Sequence, residues 1–118
     1  MDLGSALQKH SEWKVKFRSA MAKHEQLDAI SIGKDNCCEL GKWLHGEGKV
    51  RCGSLPSFTT VVQKHAEFHR EAGKVAQAIN AKKYDEAERM LGVTTPYGAV
   101  SNDLGGAIMR LRKECPNN

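Results

Sequence analysis

The chain has 118 residues, 40% of them hydrophobic and 27% charged, which is enough for one domain over 1–118 and too little for two. No apolar run approaches the roughly 20 residues that cross a bilayer, so no membrane insertion is expected. The net charge of +4 comes from dispersed basic residues with acidic neighbours, as over 84–89, and not from a basic stripe, so no nucleic-acid partner is expected.

The opening residues are polar and periodic, without the basic and apolar stretches of a secretory leader, and the expected compartment is the cytoplasm. Four cysteines are an even number, but Cys37 and Cys38 are neighbours. Without an export signal, free thiols or metal ligands are expected ahead of a disulfide framework.

Helical spacing dominates, and alternating strand patterns are missing. Leu3, Leu7, His10, Trp13, Phe17, Met21 and His24 recur at steps of three and four, which predicts one long helix from about Asp2 to Ile32. Gly33 is its expected stop. Asp35 is the expected N-cap of a shorter helix whose apolar face is Leu40, Trp43 and Leu44. Gly46, Gly48, Gly53 and Pro56 predict a loop, and Ser57 is the expected cap of the next helix. The stripe of that helix reads Phe58, Val61, Val62, His65, Phe68, His69, Ala72, Val75, Ala76 and Ile79, with Asn80 at its end. A short helix is predicted from Tyr84 to Leu91. Thr95 and Pro96 then open a last helix with Tyr97, Val100, Leu104, Ile108 and Leu111 inward. These elements predict an all-α fold, an antiparallel bundle of about four to five helices.

His65 and His69 stand at i and i+4, one above the other on one helix face, where two imidazoles can meet one metal ion. Both lie in the apolar stripe, where burial without polar partners is costly. The pair is read either as two hydrogen-bonded core histidines or as metal ligands. His10 repeats the anomaly on the first helix, beside Leu7, Trp13 and Phe17. Cys38, expected in the first turn of its helix, would have its thiolate stabilised by free N–H groups and the helix dipole. Three imidazoles and one thiolate suit zinc and fill a tetrahedron.

His10 to Trp13 (HxxW), Cys38 to Leu44 (CxLGKWL) and His65 to His69 (HxxFH) resemble the chemoreceptor zinc-binding (CZB) domain family. The resemblance implies a helical bundle, usually a homodimer, whose zinc ligands are His10, Cys38, His65 and His69. It also implies a sensory domain of bacterial chemoreceptors or diguanylate cyclases, passing a signal to an attached output domain. Zinc availability, or hypochlorous acid acting on the ligating cysteine, would be the input.

Four protein ligands leave no open position for water or substrate, and no paired carboxylates, Ser/His/Asp pattern or phosphate-binding glycine loop is present, so an enzyme is not expected. The alternative is a purely structural zinc that staples a dimerisation bundle. Cys37 and Cys52 are read as small side chains without a role, or as second thiols near the ligand. No role is expected for Cys115, His24 or His45, and packing roles are expected for Gly41 and Trp43.

Overall fold

The structure, a computed structural model, describes residues 2–115; Met1 and residues 116–118, the two ends of the expected 1–118 domain, lie outside the described residues. The described chain is all α-helix: α1 (Leu3–Ser11), α2 (Trp13–Lys23), α3 (Ala29–Ile32), α4 (Glu39–His45), α5 (Glu47–Cys52), α6 (Pro56–Asn80), α7 (Tyr84–Met90) and α8 (Pro96–Glu114).

Of the first segment's stripe, Leu3, His10 and Phe17 are buried, Leu7, Trp13 and Met21 are half-buried and His24 is exposed, with Ala6 and Ala20 also buried beside it. The long helix expected through Ile32 is instead three pieces. The Asp2 side chain accepts from the Gly4 and Ser5 amides to cap α1. Only Glu12 separates α1 from α2. The real stop is His24, in the left-handed conformation at φ 54°, whose ring stacks on Tyr84. Asn80 then brackets Leu27: its Oδ1 accepts from the Leu27 amide at 2.7 Å and its Nδ2 donates to the Leu27 carbonyl at 2.8 Å. Asp28 caps α3 on the Ser31 amide.

α6 and α8 form the spine and run antiparallel. Ser57 at the start of α6 donates to Glu114 at the end of α8, and Lys64 pairs with Asp103 midway. α1 also runs antiparallel to α8, with His10 against Ser101 and Gly4 against Arg112. It therefore runs parallel to α6, and its His10 ring meets Phe68 edge-on. α3 returns along α6, close enough that a Cβ on Gly73 would lie 2.9 Å from the Gly33 Cα. The interior between these helices is Phe17, Val61, Phe68, Val75, Ile79, Leu91, Leu104, Ile108 and Leu111, all nearly inaccessible. Thr95 caps α8 on the Gly98 amide and Pro96 opens it, as expected from the sequence.

Two further expectations are corrected. The glycine-rich stretch after α4 is not all loop, since residues 47–52 form α5. Ser57 does not cap α6, because Leu55 holds the N-cap position and the Ser57 hydroxyl is spent on Glu114. No helix among the described residues is long and apolar enough to cross a membrane.

Candidate metal centre

The site is assembled from the start of α4 and the middle of α6. Cys38 is itself the N-cap of α4, in extended conformation, and its Sγ accepts from the Gly41 amide at 3.3 Å. The sequence had given the cap to Asp35. The chain before α4 folds so tightly over the helix that a Cβ on Gly41 would overlap the Asp35 carbonyl, which leaves residue 38 to close the first turn. Asp35 pairs instead with His45, 3.2 Å away on the exposed side.

His65 and His69 project from the buried face of α6 and are 1% and 3% exposed. Their rings meet edge to face with centroids 4.5 Å apart. The Cys38 Sγ lies 3.2 Å from His65 Nε2 and 3.5 Å from His69 Nε2. Ligand atoms of all three residues fall within 4.8 Å of one another.

Hydrogen bonds to carbonyls fix the tautomers of His69 and His10. His69 Nδ1 stands 2.7 Å from the Ile32 carbonyl, which can only accept, so Nδ1 carries the proton and the bare Nε2 faces the sulfur. An imidazole anchored at one nitrogen by a carbonyl and bare at the other is the usual outer support of a metal ligand. His65 Nδ1 is buried without a hydrogen-bond partner among the described residues, so only the Nε2 of that ring, on the Cys38 sulfur, is satisfied.

His10 is not part of this cluster. Its Nε2 lies 3.1 Å from both the carbonyl and the hydroxyl of Ser101 on α8, which leaves Nδ1 as the bare nitrogen. It does line the same cavity of about 340 Å³, with Trp13, Cys38, His65, Phe68 and His69. An ion pair from Lys9 of α1 to Glu39 of α4, 3.0 Å long, links the helices that carry His10 and Cys38. The structure thus brings three of the four sequence-derived candidates together and places the fourth in the wall beside them.

Burial dominates the electrostatics. It lowers the pKa of His65 to about 3, reinforced by His69, and pushes His10 and His69 below their ordinary value. The three rings are therefore neutral, the form that binds a metal. Burial also raises the Cys38 thiol, against the lowering pull of the Gly41 and Leu40 amides. The helix start alone does not hold a thiolate here, contrary to the sequence expectation. A cation in place would supply the missing stabilisation and displace the thiol proton. The Nε2 atoms of His65 and His69 and the Cys38 sulfur, converging on one another, fit a zinc ion by donor chemistry.

The remaining cysteines are also corrected. Cys52 and Cys115 form a disulfide across 63 residues, where no disulfide was expected, and Cys37 and Cys38 are free. Ser101 and the Ile32 carbonyl were invisible in the sequence, because they approach His10 and His69 from 91 and 37 residues away.

Set against known proteins, the chain matches the chemoreceptor zinc-binding domain (CZB) family over residues 10–76, more than half its length. No curated protein and no solved structure matches it. The chain belongs to the CZB family.

Proposed function

From that membership, we propose that this chain is a sensory domain that holds one zinc ion through Cys38, His65, His69 and His10. The observation that carries the reading is the convergence of the Cys38 sulfur on two Nε2 atoms inside the core, with one of the rings already anchored from behind. His10 is the fourth ligand of the proposal, since it is neutral, buried and in the wall of the same cavity. When bound, zinc supplies a charge that ties α1, α4 and α6 together, so that its binding free energy becomes folding free energy. Four protein ligands would leave no position for a reacting water, which argues for sensing over catalysis.

As the family likeness implies, the domain pairs with a second copy of itself in the cytoplasm and reports to an attached output domain. Its input is zinc availability, or an oxidant reaching the ligating sulfur. In the second case the Cys38 thiolate and hypochlorous acid give a sulfenic acid and chloride, and the sulfur's hold on the metal weakens. Because Cys38 caps α4, losing that hold frees the start of the helix. The purely structural alternative is favoured by the burial of the donors. It predicts that neither zinc nor oxidant in the physiological range changes the domain's conformation.

The test is metal content of the protein purified without added zinc, beside Cys38→Ala, His69→Ala and His10→Ala. About one zinc per chain, lost or reduced in all three variants, is expected. No zinc in the wild type would overturn the reading. Full zinc in His10→Ala alone would remove His10 from the ligand set.

A further inference from the structure

The second pair of cysteines lies outside the metal centre: Cys52 falls within the family match and Cys115 lies beyond it, since the match ends at residue 76. We propose that Cys52 and Cys115 form a reversible thiol–disulfide clamp that fastens the α4–α5 unit to the C-terminal end of α8.

The pair sits where a clamp has an effect. α4 and α5 pack closely on one another and only sparsely, by backbone approach, on the other helices. Their contact is tight: a Cβ on Gly48 would lie 2.6 Å from the Trp43 ring. The unit is held to the rest of the fold by the side chains of Leu40, Trp43 and Leu44, with Trp43 edge-on to Phe58, by the exposed Lys9–Glu39 ion pair on α4, and by the disulfide. Cys52 is the last residue of α5 and Cys115 caps the end of α8. Their Cα atoms are 6.2 Å apart, a span that a disulfide bridges without backbone movement.

Access to the two sulfurs differs. Cys52 is 1% exposed and Cys115 is half-buried at the end of its helix. A small thiol such as glutathione would therefore attack as its thiolate at the Cys115 Sγ. The S–S bond breaks, a mixed disulfide forms on Cys115, and Cys52 leaves as a thiolate and takes up a proton. A second molecule of the small thiol attacks the sulfur of the first. This releases the Cys115 thiolate, which is then protonated, and the oxidised small-molecule disulfide. Two small thiols have given up two electrons, and the protein has gained two thiols. The reverse sequence, starting from the oxidised small-molecule disulfide, closes the clamp.

What opening releases is also set by neighbours. The end of α8 stays tied to α6 by the Ser57 hydroxyl on Glu114, itself paired with Arg110. α5 has no comparable second anchor among the described contacts, so it is α5 that loosens. The clamp stands whether or not zinc binds.

The test equilibrates the purified protein in glutathione buffers from reducing to oxidising, counts thiols by alkylation and mass spectrometry, and follows hydrogen exchange by peptide. Two thiols, on Cys37 and Cys38, are expected at the oxidising end and four at the reducing end. On reduction, exchange over residues 47–52 rises about tenfold or more, while the centre of α6 is unchanged. The double variant Cys52→Ser with Cys115→Ser exchanges like the reduced protein in every buffer. A Cys52–Cys115 bond that never forms or never opens across the series would overturn the proposal. So would a bond whose opening leaves α5 exchange unchanged, or raises exchange throughout the chain.

Discussion

At the scale of single residues, three imidazoles are buried in a low-dielectric core and the Cys38 thiol is half-buried at its edge, so that each group meets a different electrostatic cost. For the histidines the sign is direct. Burial holds their folded pKa values below the ordinary 6.5, with His65 at about 3, so between those values the unfolded chain binds protons that the folded chain refuses. The metal-free protein is expected to keep this stability fully above pH 6.5 and to lose it progressively as the pH falls from there toward 3. Denaturant titrations at a series of pH values would read it. A flat profile over that window would mean that the rings are not desolvated as the structure has them. The Trp43 indole nitrogen, the other buried side-chain atom without a partner among the described residues, has no such titration.

At the scale of elements, small residues and caps decide where the ligands stand. Replacing Gly41 with alanine would drive a methyl group into the Asp35 carbonyl and displace the start of α4, where Cys38 is the cap. The expected cost is roughly 1–3 kcal/mol in stability together with reduced zinc content, whereas alanine at the open, exposed helical position Gly106 leaves zinc content unchanged and stabilises by up to about 1 kcal/mol. Asn80→Ala removes both hydrogen bonds that hold Leu27 and should cost about 1–3 kcal/mol in chemical denaturation, because the Leu27 amide and carbonyl lose their partner.

These two sites also show what was legible in the sequence. The stripes of α6 and α8, and the Thr95–Pro96 helix start, depend on local spacing and stand as expected. The break after α2 does not: no proline or glycine marks it, and it depends on His24 turning left-handed and on Asn80 reaching back 53 residues. The i, i+4 pair His65 and His69 was legible because helical geometry fixes it. The position of His10 against Ser101 is a tertiary fact that no local pattern encodes.

At the scale of the whole molecule, three devices fasten the same small bundle: an apolar core, the Cys52–Cys115 disulfide and the proposed zinc. The disulfide closes a 63-residue loop, for which chain entropy allows up to about 4 kcal/mol of stabilisation. Reduction should therefore lower the midpoint of thermal unfolding at constant zinc, and the Cys52→Ser, Cys115→Ser variant should show the lower value without reductant. An unchanged midpoint would mean that the loop-closure effect on the unfolded chain is absent or offset in the folded state. The most direct test of the central claim is X-ray absorption at the zinc edge of the protein as purified. One sulfur at about 2.3 Å and three nitrogens at about 2.0–2.1 Å are predicted, with the sulfur shell lost in Cys38→Ala. A shell of oxygen ligands alone, or a sulfur count that survives that substitution, would contradict it.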